Sequence, residues 1–136
     1  MEMGKTTVMV VDDDVVLAEG IADVLDAKGY NVSVANDGFK ALDMVKKSIL
    51  DIALMDIRMP EMNGVETYRR IKIVRPQIKV IMMTAYSTEN LIDEAIQEGA
   101  SEVLNKPIDL DRLIALIEAI GGKARVKMQN IKPVFS

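Results

Sequence analysis

Three consecutive acids, Asp12-Asp13-Asp14, follow directly on the apolar run 7–11, and a fourth, Asp56, follows a second such run at 52–55. A hydroxyl, Thr84, closes the run 80–83, and an ammonium, Lys106, stands between Val103-Leu104-Asn105 and Pro107. Runs that are apolar at every position belong to parallel strands covered on both faces, so their ends open at one edge of a sheet. If those strands are neighbours, Asp12, Asp13 and Asp56 crowd together at that edge. Two carboxylates about 4 Å apart repel by roughly 1–4 kcal/mol at effective dielectrics of 80 to 20. Such a cluster needs a cation or a proton. Oxygen donors without imidazole or thiolate suit a hard divalent ion, and Mg²⁺ is the expected one. Mg²⁺ bound by one or two carboxylates keeps several waters and takes phosphate oxygens readily. The set therefore suits a site that receives a phosphoryl group, with Asp56 as nucleophile, Lys106 balancing the developing charge and the Thr84 hydroxyl donating a hydrogen bond.

Composition narrows the chemistry further. The 136 residues include no His and no Cys. That excludes a Ser-His-Asp triad, thiolate catalysis, disulfides and imidazole or sulfur metal sites. Hydrophobic residues make up 49% and aromatic ones only 4%, so ten Met with many Ile, Val and Leu fill the interior. Such a Met-rich core is a packing choice. No segment reads as a signal peptide or reaches the length of a membrane span, and a cytoplasmic setting is expected. The net charge of −4 hides an asymmetry: residues 121–136 carry Lys123, Arg125, Lys127 and Lys132 and no acid, leaving −8 on residues 1–120. An acidic body argues against direct nucleic-acid binding.

The elements that must position these residues alternate regularly. Apolar runs predict strands at 6–11, 31–35, 51–55, 79–83 and 101–104. Helical periodicity predicts helices at 15–28, 38–48, 64–74, 88–98 and 109–120. In the first helix Leu17, Ile21, Val24 and Leu25 share a face, and Gly29 ends it. Asp14 and Asn63 are placed to cap the first and third helices. The expected fold is α/β: a doubly wound, five-stranded parallel sheet of flavodoxin-like order 2-1-3-4-5, with the polar second strand at an edge. In such sheets the site lies beyond the carboxyl ends of the strands where the order reverses, here between the first and third. Those strands end in Asp12-Asp13 and Asp56. One domain over 1–120 is expected, followed by a basic linker or C-terminal tail at 121–136.

Over residues 5–120 the chain resembles the receiver domain of two-component response regulators. The resemblance is carried by Val10-Val11-Asp12-Asp13-Asp14, by Leu54-Met55-Asp56-Ile57-Arg58-Met59-Pro60-Glu61-Met62-Asn63-Gly64, and by Met82-Met83-Thr84-Ala85, Gly99-Ala100 and Asn105-Lys106-Pro107. Each piece is weak alone, but all occur in order at strand ends. The resemblance implies that Asp56 is the phosphoacceptor for a sensor histidine kinase or phosphotransfer protein. It implies direct Mg²⁺ binding by Asp13, Asp56 and the backbone carbonyl of Arg58, with Asp12 acting through water. It further implies a phosphoryl-pairing role for Lys106, a cis bond from Lys106 to Pro107, and a Thr84 that moves toward the phosphate. The signal would then reach a surface of the fourth helix, fifth strand and fifth helix, and so a downstream effector or output domain. A homodimer on phosphorylation is left open.

Two departures from the common pattern matter. Many receivers carry Tyr or Phe three residues before the lysine; here Val103 stands there, so no aromatic switch operates and static packing is expected. Next to Ala85 at the pocket, Tyr86 lies two residues past Thr84, as Arg58 lies two past Asp56. Both are bulky, and slow self-dephosphorylation is expected from their cover. Taken singly, the acids, Thr84 and Lys106 have ordinary uses as caps, turn residues and solvated charges; it is their joint placement that favours chemistry. A Mg²⁺-dependent aspartyl phosphohydrolase is the rival, but such enzymes want a second acid where Arg58 stands. The chain is accordingly expected to catalyse only its own phosphorylation and dephosphorylation. A flavodoxin would cradle phosphate in a Ser/Thr/Gly loop, which the acid triplet replaces. A receiver cut from a larger transcriptional regulator or hybrid kinase remains an alternative.

Overall fold

Residues 8–11, Val-Met-Val-Val, are fully buried, and so are Ile52, Ala53, Leu54 and Met55. A strand with no exposed face must lie between two layers, and the computed structural model places both runs at the centre of one sheet. The structure describes residues 5–86 and 90–121. In chain order the elements are β1 (Thr7–Val11), α1 (Val15–Ala27), β2 (Asn31–Ala35), α2 (Gly38–Lys47), β3 (Ile52–Asp56), α3 (Gly64–Val74), β4 (Lys79–Thr84), α4 (Asn90–Glu98) and β5 (Glu102–Asn105). A last helix, α5, spans 110–121. All strand pairs are parallel and the order is β2-β1-β3-β4-β5, as expected.

The alternation of side chains along each strand sorts the core into two layers. Met9, Val11, Ala53, Met55, Val80 and Met82 pack against α2, α3 and α4 through Ala41, Val45, Val65, Tyr68, Ile71 and Ala95. On the other face Val8, Val10, Ile52, Leu54, Ile81 and Met83 meet α1 and α5 through Ala18, Ile21, Leu25, Leu113 and Ile117. Straight and branched aliphatics thus do the work that aromatics do elsewhere.

Four helices begin with a side-chain cap, which satisfies a backbone N–H with no partner inside the helix. Asp14 accepts from Leu17 N at 3.1 Å, Asp37 from Lys40 N at 2.7 Å, Asn63 from Glu66 N at 2.9 Å and Asp109 from Arg112 N at 3.2 Å. These caps fix where the loops after β1, β2, β3 and β5 become helix. Gly29, at φ 98°, ends α1 in the left-handed conformation that glycine adopts without penalty.

Strand ends differ from expectation by one rung. Asp56 and Thr84 are the last residues of β3 and β4 rather than the first residues beyond them. The ladder continues because Ile57 N donates to Met83 O at 2.9 Å and Lys106 N to Thr84 O at 2.8 Å. The start of the fourth helix expected at 88 and the tail expected after 121 fall on residues 87–89 and 122–136, outside the described residues; Gly121 itself is helical and buried. No helix among the described residues is long and apolar enough to cross a membrane.

Candidate functional site

Register brings the predicted residues together. Val11 pairs with Met55 across β1 and β3, Asp56 with Met83 across β3 and β4, and Thr84 with Asn105 across β4 and β5. Asp12, Asp56, Thr84 and Lys106 therefore emerge side by side at the carboxyl edge. One carboxylate oxygen each from Asp12, Asp13 and Asp56 lies within 4.8 Å of the others. Asp12 and Asp56 are buried while Asp13 is exposed at the mouth.

Asp12 is held on every side. Its Oδ1 accepts from Asp14 N at 2.9 Å, its carbonyl accepts from Asn36 Nδ2 at 3.2 Å, and its own N–H donates to Ala35 O at 3.1 Å. Its Oδ2 takes the Lys106 ammonium at 2.8 Å, whereas Lys106 to Asp56 Oδ1 is 3.4 Å. The lysine thus sits nearer Asp12 than the nucleophile candidate, a preference that sequence spacing does not reveal. Asn36 was also missed. An amide one residue past a strand is too common a turn feature to single out.

Two effects compete at Asp56. Burial first, and then the charge of Asp12, push its pKa from 3.8 to about 6, against the opposing pull of Lys106 and of the Arg58 backbone N–H. Burial alone would depress Lys106, but its hydrogen bond to Asp12 and the charges of Asp56 and Asp12 outweigh this and raise it. The pocket thus holds more negative charge than one ammonium neutralises, and the ligand set offers only carboxylate and carbonyl oxygen. Both facts fit a hard divalent cation.

Around this centre, the Thr84 hydroxyl is buried and accepts from Tyr86 N at 3.0 Å. It also reaches Tyr86 O at 3.3 Å. This short turn aims the Tyr86 ring outward, 54% exposed, and the Arg58 guanidinium lies over it, 5.1 Å from the ring centroid. The two bulky residues named separately from sequence are one stacked pair. Ala85 and Pro107 are exposed beside them, and the Lys106–Pro107 bond is cis. Val103 pairs with Met82 and packs against the layer beneath α3 and α4, with no aromatic in its place. Glu61, in the loop after β3, has φ 69°, and Met62 N closes a tight turn on Pro60 O at 2.8 Å.

Comparison with known proteins agrees with this geometry. A family model described as "response regulator receiver domain" matches residues 8–118. The transcriptional regulatory protein ZraR of Escherichia coli K12 is 42% identical over 111 residues, covering 82% of this chain and 25% of ZraR. Sporulation initiation phosphotransferase F of Bacillus subtilis is 35% identical over 82% of this chain and 90% of its own length. The CheY-like receiver domain protein of Methanospirillum hungatei superposes with a TM-score of 0.86 at 25% identity, covering 90% of this chain and 98% of that one. This chain spans about a quarter of the length of the ZraR relatives it matches.

Proposed function

The chain belongs to the response regulator receiver domain family, and from that premise we propose that Asp56 is its phosphoacceptor. The observation that carries this reading is the convergence of Asp12, Asp13 and Asp56 within 4.8 Å beside an ammonium 3.4 Å from Asp56. A carboxylate oxygen attacks phosphorus only if the incoming anion is tolerated, and three acids alone repel it. Asp13, Asp56 and the Arg58 carbonyl are the groups that would hold Mg²⁺, with Asp12 acting through water. When bound, the ion supplies charge neutralisation and orientation of the phosphoryl oxygens.

The side chains carry the rest. Asp56, fixed at the end of β3 with its carboxylate accepting from Arg58 N, is oriented for in-line attack. Lys106 stays protonated, since its pKa is raised, and balances charge building on the transferred group. Asp12 holds Lys106 in reach of that position. The Thr84 hydroxyl would leave Tyr86 to donate to the new phosphoryl oxygen, a rotation that disturbs the turn ahead of α4. Because Val103 is not aromatic, that disturbance passes to the α4–β5–α5 surface through backbone. The phosphoryl donor is a sensor histidine kinase or phosphotransfer protein, and the receiving partner an effector or output domain. We read residues 1–120 as the receiver and 121–136 as a linker or tail.

The test is incubation with Mg²⁺ and acetyl phosphate followed by intact mass. We expect one added phosphoryl group, dependent on Mg²⁺ and lost in Asp56→Asn. Repeated turnover of a phosphate ester with no covalent adduct would overturn the reading in favour of a hydrolase.

A further inference from the structure

Asp13 is the exposed member of the acid cluster. The hydrogen bonds of its turn are made by the residues on either side. Asp12 Oδ1 accepts from Asp14 N at 2.9 Å, and Asp14 Oδ1 from Leu17 N at 3.1 Å. Beside Asp13 lies a cavity of about 240 Å³, lined by Asp13, Asn36, Pro60 and Glu61 among others. Packing therefore does not confine the acid on that side. Its carboxylate is placed instead by backbone, through the two peptide units that flank its Cα. The 13–14 unit is held from within the turn, by Asp12 Oδ1. The 12–13 unit is held from outside, because Asn36 Nδ2 donates to Asp12 O at 3.2 Å. A peptide is planar and trans, so fixing that carbonyl fixes the Asp13 N–H on the opposite side, and with it the direction in which the chain enters Asp13.

We propose that Asn36 is a positioning residue for this site, acting through the Asp12–Asp13 peptide to hold Asp13 where a bound Mg²⁺ takes its carboxylate oxygen; this rests on the reading of Asp13 as a metal ligand.

The mount of Asn36 supports this first. Ala35 before it is the last rung of β2, pairing with Val11, and its carbonyl accepts from Asp12 N at 3.1 Å. Asp37 after it caps α2, accepting from Lys40 N at 2.7 Å. Gly38 then starts α2 so close to α3 that a Cβ there would collide with Thr67 Oγ1. Strand end, cap and close approach leave the backbone at 36 few alternatives, and the short side chain presents its amide at one place. The direction of the bond supports it next. A turn Asn ordinarily bonds its own backbone two residues on, whereas this amide crosses to a residue 24 positions away. Residues 12 and 35–36 are thus joined at two points, one from the Asp12 N–H and one to its carbonyl. Chemistry sets the size of the effect. Mg²⁺ demands near-ideal octahedral geometry, and groups that orient its ligands without touching the ion typically carry about 10–100-fold of affinity. One neutral hydrogen bond from an exposed side chain belongs at the low end of that range.

Mg²⁺ itself is the probe, titrated by calorimetry into the metal-free 136-residue chain, with backbone relaxation measured in EDTA. Asn36→Ala should weaken Mg²⁺ binding about five- to tenfold. In EDTA the Asp13 N–H of that variant should gain motion, seen as a lowered order parameter or as relaxation dispersion, while Val11 and Asp56 stay as they were. Its melting temperature in EDTA should stay within about 2 °C of the unaltered chain. Asn36→Gln keeps an amide donor on a longer arm and should bind Mg²⁺ more tightly than Asn36→Ala. Equal affinity in the unaltered chain and Asn36→Ala, or an Asp13 N–H as rigid in the variant as before, would overturn the proposal. Weakened binding with a general loss of stability, and Asn36→Gln no better than Asn36→Ala, would also overturn it by making Asn36 a loop residue only. If Asp13→Asn binds Mg²⁺ as well as the unaltered chain, the placement of the ion at Asp13 fails, and the role of Asn36 falls with it.

Discussion

Asp56 is asked to be buried and charged at once, and its ionisation shows the tension. Its folded pKa of about 6 lies above the ordinary 3.8, so between those values the folded protein binds more protons than the unfolded one. Stability from this group is therefore greatest at low pH and falls as pH rises from about 4 to 6. A shift of this size is at most about 3 kcal/mol, and solvent at the mouth brings it nearer ~1–2 kcal/mol. In EDTA at pH 7, Asp56→Asn should be the more stable protein by that amount, and the two urea midpoints should converge near pH 4. A variant no more stable at neutral pH would refute the strained carboxylate. The stacked pair beside it makes a second prediction. Arg58 over the Tyr86 ring is worth about 0.5–1 kcal/mol at an exposed site. Arg58→Ala combined with Tyr86→Ala should shorten the half-life of the phosphorylated form roughly two- to tenfold by admitting water, measured by loss of labelled phosphoryl; an unchanged half-life would remove the shielding role. The reacting residues were legible because each closes an apolar run. The nearer pairing of Lys106 with Asp12, and the stacking of Arg58 on Tyr86, depend on rotamers and distances that spacing does not encode.

Between β3 and α3 the chain is drawn so tight that one hydrogen atom matters. A Cβ on Gly64 would collide with Asp56 O and lie 3.0 Å from Ile57 Cα, and both are backbone that has no room to yield. Gly64 N donates to Ile57 O at 2.7 Å, fastening the start of α3 to the end of the strand that carries Asp56. Gly64→Ala should therefore cost about 1–3 kcal/mol of stability. It should also weaken Mg²⁺ binding several-fold, because the loop holding the Arg58 carbonyl must move. Asn63→Ala next door removes only the cap and should cost about 1 kcal/mol with Mg²⁺ affinity kept. Urea melts with a Mg²⁺ titration separate the two, and equal affinities in both variants would sink the coupling. The third helix was legible to the residue because Asn63 marks its start. The tightness was not, since a glycine after a turn reads the same with or without a neighbour against it. The same holds for Gly38, whose Cβ would meet Thr67 on α3 and Met62 in the loop before it.

At the scale of the whole molecule, two buried layers hold a sheet whose open edge concentrates acids, and the fold tolerates this because the two halves of the problem are spatially separate. Strand order was legible in advance because the runs 8–11 in β1 and 52–55 in β3 are apolar at every position and must be central, whereas Asn31 and Ser33 mark β2 as an edge. The hollow beside Asp13 was not legible, because it arises from how the loops after β2 and β3 meet. Separation of core from site has a thermodynamic consequence. A ligand that binds only the folded state stabilises it by mass action, by about 2.7 kcal/mol at a hundredfold excess over its dissociation constant. Mg²⁺ at that excess should raise the melting temperature by several degrees, and EDTA should reverse it fully. Asp13 is exposed and makes none of the contacts that hold Asp12 in place, so Asp13→Asn should melt close to the unaltered, metal-free chain while losing most of the Mg²⁺-induced rise. Calorimetry of both proteins with and without Mg²⁺ reads this directly. An Asp13→Asn protein that keeps the full rise would place the ion somewhere other than among these three acids.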